Sequence, residues 1–107
     1  MAPRIVVKVR DLQRGAVRLH ILHHANEHPI TGAWMSDELS THGYSISPGT
    51  LYPTLHRMEA NGELASRKQV TAGRATREYT ITRDGQLSLA AGRKTLRELA
   101  REVLGDT

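Results

Sequence analysis

The chain has 107 residues, enough for one domain, and its 15 basic and 11 acidic residues give a net charge of +4. The absence of cysteine excludes a disulfide scaffold, a thiolate metal site and a cysteine nucleophile. No apolar run approaches the ~20 residues that cross a bilayer, and the N-terminus lacks a signal-peptide pattern. We therefore expect a cytoplasmic protein without a membrane partner, and the basic charge favours a polyanionic one.

The N-terminal third predicts an arm followed by a central helix. Residues Met1–Lys8 have no clear period and are interpreted as an arm or a short strand. From about Val9 to Asn26, apolar residues recur at three and four positions, which is the helical period. They form two rows, Leu12, Ala16, Leu19 and Leu22 in one and Val17, Ile21 and Ala25 in the other. A helix that is apolar on two sides is usually central or shared with a partner chain.

Two shorter helices are predicted next. Thr31-Gly32 opens a helix over Ala33–His42. Ser47-Pro48 is an N-cap followed by proline at the first helical position, and it opens a third helix that ends at Asn61-Gly62. The buried stripe of this third helix consists of Leu51, Leu55 and Met58, which leaves a polar outer face.

Two strands and a long helix complete the prediction. Glu63–Val70 and Thr76–Ile81 form a hairpin with Thr71–Ala75 at its tip. Thr82 then caps a helix over Arg83–Leu104, which at ~1.5 Å per residue is longer than a domain of this size needs. Because an overhanging helix usually packs against another chain, its apolar stripe near coiled-coil spacing is the predicted dimer interface. The residues assigned to that interface are Leu89, Leu96, Leu99 and Val103.

This order of elements predicts a winged helix-turn-helix, mostly α with a small β-hairpin, plus a long C-terminal dimerisation helix. We assign DNA binding to residues 1–82 and dimerisation to residues 83–107. The third helix is sized to enter a major groove, and the hairpin, or wing, can reach an adjacent groove or the phosphates. Two such heads related by a two-fold axis read a pseudo-palindromic operator in double-stranded DNA.

The segment Gly43–Gly62 carries a specific motif. It contains Ser-Pro-Gly-Thr-Leu-Tyr-Pro at Ser47–Pro53, followed by Leu-His-Arg-Met-Glu-Ala-Asn-Gly. This segment resembles the signature of the PadR family of bacterial transcriptional regulators, and Gly73–Gly85 resembles that family's wing and the start of its last helix. The resemblance covers roughly Asp11 to Leu104. It implies the compact subgroup with a single C-terminal helix, and a homodimeric repressor that a small effector releases from its operator.

The chain departs from the family pattern in three places. The wing has Ala75 where the family usually has proline, and Glu78 where it often has tyrosine. Ala33-Trp34 stands where tyrosine and a polar residue are common, and Trp34 is either a core or interface residue or a ligand platform. No tryptophan follows Arg83, so the aromatic-ligand pocket of multidrug-binding members does not carry over.

Candidate DNA-binding residues lie on the third helix and the wing, where phosphate and base contacts concentrate in such proteins. The phenol of Tyr52 can bond a phosphate or a base edge, or the ring can pack beneath the wing. No Asn, Gln or Arg stands in the first two turns of the third helix, so readout leans on DNA shape or water. The full candidate set is Ser47, Thr50, Tyr52, His56, Arg57, Lys68, Arg74 and Arg77.

Four of the six histidines, His20, His23, His24 and His28, fall within a stretch of nine residues at the end of the first helix and just after it. His20, His24 and His28 fall within ~80° of arc and are spaced four apart, so neighbouring imidazoles can reach one metal ion. No cofactor is required by the sequence, but a divalent transition metal (Zn²⁺, Mn²⁺, Ni²⁺ or Cd²⁺) is a candidate effector. The alternative is a surface or interface stripe without a ligand.

No motif indicates an enzyme. The chain has no nucleophile elbow and no glycine-rich phosphate loop after a strand. The main interpretation is a DNA-binding homodimeric repressor with an unidentified small effector. The alternative is a winged-helix protein–protein interaction module without DNA binding, and a metal-handling protein ranks last.

Overall fold

The computed structural model describes the backbone of residues 2–105 and the side chains of residues 9–70 and 72–105. Met1, Asp106 and Thr107, which belong to the predicted segments, lie outside the described residues. The helices are α1 (Ala2–Glu27), α2 (Gly32–Thr41), α3 (Pro48–Ala60) and α4 (Arg83–Leu104), and the strands are β1 (Ile30–Thr31), β2 (Leu64–Thr71) and β3 (Arg74–Ile81). The mostly helical winged fold predicted from the sequence is confirmed. Within these residues, no helix is both long enough and apolar enough to span a bilayer.

The predicted N-terminal arm is wrong, because α1 already begins at Ala2. Pro3 does not prevent this, since a proline in the first turn of a helix lacks only an N–H that would have no helical partner there. The outer part of α1 also extends beyond the core. Leu12, the first residue of one predicted apolar row, is 65% exposed, whereas Leu22 in the same row is 5% exposed.

The sheet has three strands where the sequence predicted two. β1 adds to the hairpin by pairing antiparallel with β3, which places Ile30 opposite Tyr79 and gives the order β1-β3-β2. The hairpin tip is also shorter than predicted. Only Ala72 and Gly73 form the turn, with φ values of 52° and 77°, and these positive angles at both central residues match a type I′ turn.

The core lies where α1, α2, α3 and the sheet meet. The predicted stripe of α3 is confirmed, since Leu51, Leu55 and Met58 are at most 1% exposed. Among the described side chains, the buried apolar residues are Val17, Ile21, Leu22, Ala25, Ile30, Met35, Leu39, Leu51, Leu55, Met58, Leu64, Tyr79 and Leu89. This arrangement holds α3 in one rotation about its axis and leaves its opposite side in solvent.

Helix α4 joins the core only through its first turns. Its buried residues are Gly85 and Leu89. Leu89, one of the predicted interface residues, therefore packs inside its own protomer. In contrast, Leu96, Leu99 and Val103 are 52%, 44% and 67% exposed, so an apolar stripe continues beyond the core and is only partly covered by the described residues.

We expect Gly85→Ala to destabilise the fold. A Cβ at this position would overlap the carbonyl oxygen of Glu63 and lie 2.7 Å from Cγ1 of Ile81, so the backbone has to move where α4 meets the residue before β2. Overpacking of this kind costs about 1–3 kcal/mol, which thermal unfolding measures. Gly15→Ala in α1 is the matched control, because a Cβ there meets nothing within 4 Å. An equal melting temperature for both variants would contradict this account of Gly85.

Candidate nucleic-acid interface

Helix α3 begins with two exposed hydroxyls. Ser47 occupies the N-cap position, where its carbonyl oxygen accepts hydrogen bonds from the backbone N–H of Thr50 at 3.0 Å and of Leu51 at 2.9 Å. The Ser47 hydroxyl does not cap the helix but donates to the hydroxyl of Thr50 at 3.3 Å. Both side chains are exposed, so the start of α3 offers hydroxyl and backbone N–H groups as hydrogen-bond donors to an approaching anion.

The centre of the exposed face of α3 is small and weakly polar. At about 100° per residue, Gly49, Pro53, His56 and Ala60 lie opposite the buried stripe, and all four are exposed. His56 is the member of this strip that has a polar side chain. A strip of this kind allows close approach to the floor of a groove, and it fits the expectation that base recognition relies on DNA shape.

Tyr52 is held against the start of α2. A Cβ on Gly32 would overlap Cε1 of Tyr52, so the ring packs directly on the backbone at the start of α2 in a space that glycine leaves open. The side chain is nevertheless 44% exposed. The ring therefore packs on α2, and a partly exposed aromatic ring lies at the edge of the face of α3.

A chain of hydrogen bonds fixes the wing to α3. The Ser66 hydroxyl donates to Oε2 of Glu59 at 2.6 Å, and Nη1 of Arg77 donates to the Ser66 hydroxyl at 3.0 Å. Glu59 belongs to α3, Ser66 to β2 and Arg77 to β3. The guanidinium of Arg77 is therefore held in the middle of the wing, and the wing has a defined position beside the helix.

The charge of the wing is divided between its middle and its tip. Glu78, a departure from the family pattern, pairs across the strands with Arg67 at 3.3 Å and accepts a hydrogen bond from Gln69 at 3.1 Å. Lys68 and Arg74 are exposed, and neither is paired with a carboxylate among the described side chains. The positive charge that remains available to a polyanion therefore extends from the middle of the wing, where Lys68 lies opposite Arg77, to Arg74, which directly follows the turn.

A second cationic surface lies on the other side of α3. Arg10, Arg14 and Arg18 of α1 line a groove of about 760 Å³ together with Arg57 of α3, and we call it the arginine groove. Arg57 was predicted from the sequence as a DNA-binding residue, but the three arginines of α1 were not. Their spacing of four residues was visible in the sequence, yet nothing in it showed that α1 crosses beside the start of α3.

Two of the three predicted metal ligands lie together, and the third is separate from them. His20 and His24 form a group with His42, in which one ring nitrogen from each residue lies within 4.8 Å of the others. Oε2 of Glu38 lies 3.0 Å from Nε2 of His42 and 3.3 Å from Nε2 of His24. His28 instead donates from Nδ1 to the carbonyl oxygen of Pro29 at 2.9 Å.

Trp34 lies beside these histidines rather than in the core. It is 38% exposed, and its ring makes edge contacts with His28 at 4.6 Å and with His24 at 5.3 Å between centroids. The tryptophan thus forms one wall of the histidine group. Glu38 lies on α2 and His42 directly follows it, about 20 residues along the chain from His20. The spacing of histidines on α1 therefore could not predict these two residues.

The surroundings of His20 and His24 favour the neutral form of these two imidazoles. Burial lowers the pKa of His20, and the neighbouring His42, His24 and His23 lower it further, against an opposing effect of Glu38. Burial also lowers the pKa of His24, and Glu38 opposes this shift. Because the neutral ring is the form whose nitrogen lone pair binds a metal, His20, His24 and His42 with the carboxylate of Glu38 make a chemically suitable donor set for a divalent transition metal.

Comparison with known proteins identifies relatives over nearly the whole chain. Residues 21–91 match the family model described as the transcriptional regulator PadR-like family. The transcriptional regulator Rv3488 of Mycobacterium tuberculosis is 59% identical over 97 residues, which is 91% of each chain. The crystal structure of a PadR family transcriptional regulator from Eggerthella lenta has a TM-score of 0.82 and 27% identity, covering 95% of this chain and 90% of that one. A transcriptional regulator from Clostridium thermocellum has a TM-score of 0.75 and 27% identity, over 88% and 94%.

Proposed function

The chain belongs to the PadR-like family of transcriptional regulators, and from this premise we propose that it is a homodimeric repressor of a pseudo-palindromic operator. Members of this family are DNA-binding regulators and not enzymes. The observation that carries the proposal is the placement of α3, whose exposed face lies next to a wing fixed through Glu59, Ser66 and Arg77. With α3 in a major groove, such a wing reaches the neighbouring phosphates.

The candidate residues then divide by their chemistry. Tyr52 and His56 on α3 supply polar atoms that can contact base edges. Ser47 and Thr50 supply hydroxyls at the start of the helix. Arg74 at the wing tip neutralises phosphates, and so do Lys68 and Arg77, which lie opposite each other in the middle of the wing. Phosphate contacts position the protein, whereas base contacts distinguish sequences, so these two groups have different experimental signatures.

We expect Tyr52→Phe and Arg74→Ala to differ in effect. Tyr52→Phe keeps the ring against Gly32 and removes only the hydroxyl, so it costs about 1–3 kcal/mol on the operator and relaxes selectivity. Arg74→Ala weakens binding to every sequence alike and lowers the salt slope by about 2, because the proposed dimer loses one phosphate contact from each of its two wings. Fluorescence anisotropy with operator and random duplexes across a salt series measures both effects. Arg97→Ala in α4 is the control, and unchanged binding in both test variants would reject this assignment of helix and wing.

The alternative function is a protein–protein interaction module in which the basic wing is only soluble surface. The same salt series separates the two functions. Affinity that falls linearly with the logarithm of salt concentration, with a slope of several, supports a DNA-binding regulator. No binding to the DNA upstream of its own gene at low salt supports the interaction module.

Dimerisation is proposed for residues 83–107, which leaves DNA binding to residues 1–82. Beside the exposed stripe of α4 runs a groove of about 820 Å³ between α1 and α4, lined in part by Leu12, Leu19, Leu96 and Leu99. Leu12 is 65% exposed, and Leu96 and Leu99 are about half exposed. A continuous apolar surface on a small domain is typical of an interface, and a second copy offers the same stripe in return.

We expect Leu99→Asp to convert the dimer into a monomer. The carboxylate would lie in the proposed interface, where burying an unpaired charge is strongly unfavourable. Leu87→Asp is the matched control, because Leu87 is 61% exposed and lies on the opposite side of α4. Sedimentation equilibrium reports the assembly state, and operator affinity should fall with it, since one head reads only a half-site. A Leu99→Asp protein that remains dimeric would exclude this surface as the interface.

For the effector we propose a divalent transition metal bound through His20, His24 and His42, with Glu38 beside them. This set keeps the two histidines of α1 and replaces His28 with ligands from α2 and the residue after it. Three imidazoles and a carboxylate suit Zn²⁺ and ions of similar preference, including Mn²⁺, Ni²⁺ and Cd²⁺. Such a metal changes operator affinity if it binds more tightly to one of two dimer geometries, one that fits the operator and one that does not. The change in operator affinity cannot exceed this difference in metal affinity.

We expect His42→Gln to lower metal affinity at least tenfold, whereas His28→Gln leaves it unchanged. Calorimetry with Zn²⁺, Mn²⁺, Ni²⁺ and Cd²⁺ measures affinity, and anisotropy with and without metal measures operator binding. The loss of a ligand has at least the effect of losing a supporting contact, which costs about 10–100-fold. Equal affinity of wild type and His42→Gln would reject the site. Metal binding that leaves operator affinity unchanged would reject the effector role alone.

A further inference from the structure

The arginine groove is a concentrated positive surface. In the part of the chain that the structure describes, its walls hold four arginines and no carboxylate. The other polar side chains on its walls are Gln13, Tyr44, Ser45, Ser47, Thr50 and Thr54. Arginine forks of this kind bind phosphate oxygens in a bidentate manner, and hydroxyls complete such a site as further donors.

The three arginines of α1 form a straight row. Arg10, Arg14 and Arg18 are spaced four apart, so they follow one side of the helix over about 12 Å. Arg14 lies 3.5 Å from Asp11, but both side chains are about two-thirds exposed or more, and such a pair contributes little stability. Little therefore opposes exchange of this carboxylate for a stronger anion.

The position of the row relative to α3 identifies the anion. Along one edge of its exposed face, α3 meets α2 through Tyr52 and meets the wing through Glu59. Along the other edge, Thr50 and Arg57 border the arginine groove. A helix in a major groove has a phosphate backbone on each side, and the groove is only about 12 Å wide. The wing serves one backbone, which leaves the other facing α1.

We propose that the arginine groove binds the phosphates of this second DNA strand. The inference rests on the proposed DNA binding and adds a third contact surface to α3 and the wing. Along one strand the phosphates rise about 3.4 Å each, so a row of about 12 Å spans about three of them. Such contacts carry no base information. They raise affinity for all sequences and fix the orientation of α3 in the groove.

The test compares Arg10→Gln/Arg14→Gln with Arg97→Gln/Arg101→Gln, a control with the same charge change on α4. Both residues of the test pair are exposed, so the fold should be retained, which thermal unfolding checks. Binding to operator and random duplexes is measured across a salt series. Ethylation interference then maps the phosphates that each protein contacts. Thermal shift with inorganic phosphate and with pyrophosphate tests whether the groove takes a small anion instead.

The test pair should lower the salt slope by about 4, because the dimer loses two arginine–phosphate contacts in each half-site, and it should lower affinity at least tenfold for both duplexes. Ethylation interference should be lost on one strand of each half-site. Unchanged DNA binding in the test pair, while Arg74→Ala still weakens it, would overturn the groove contact and leave the proposed function intact. If the test pair keeps its DNA binding but loses the thermal shift with phosphate or pyrophosphate, the groove binds a small anion. That result also overturns the DNA contact and leaves the proposed function intact. A wild-type protein that binds no DNA at low salt would overturn the proposed function and this contact together.

Discussion

The rotation of α3 about its own axis is the constraint on which the rest of the interface depends. Leu51, Leu55 and Met58 are almost fully buried, and together they allow one side of the helix to face the core. Packing in a protein interior is dense enough that a turned helix would leave voids and force apolar side chains into water. The outward direction of Pro53 and His56 therefore follows from the burial of the opposite side.

Once α3 is oriented, its two edges acquire different neighbours and different roles. On one edge, Gly32 admits the ring of Tyr52, and Glu59 holds the wing through Ser66. On the other edge, Thr50 and Arg57 face α1. The helix is thus held by α2 and the wing on one side and faces α1 across the arginine groove on the other, and both sides carry side chains that can donate to a phosphate. Preorganised donors of this kind lose little conformational entropy on binding, which favours affinity.

Local signals in the sequence were sufficient to predict the helices α3 and α4. Ser47-Pro48 defined the start of α3 because an N-cap and a proline at the first helical position depend only on adjacent residues. The short strand β1 was not predictable in this way, since two residues have no period and form a strand only through Tyr79 and Glu78 opposite them. Tertiary contact, rather than propensity, decides such an element.

The candidate sites show the same limit. The spacing of His20 and His24 was visible because both lie on one helix, whereas His42 and Glu38 join them only through the packing of α2 against α1. Arg10, Arg14 and Arg18 were likewise visible as a row, but their role depends on which element they cross. A sequence pattern predicts which residues share one face of a helix, but only the tertiary structure shows which other residues lie against that face.

Helix α1 is the element that these sites share. Around it lie the arginine groove, the histidine group and the apolar groove toward α4, so one rigid helix borders the proposed DNA, metal and dimer contacts. A helix moves as a unit, and packed interfaces shift between discrete arrangements rather than deforming continuously. In the proposed regulator, a metal held between α1 and the end of α2 therefore acts on the operator by favouring one arrangement of α1. The arginines of the DNA contact and the leucines of the dimer contact move with the same helix, which couples the effector to the spacing of the two heads without a separate relay.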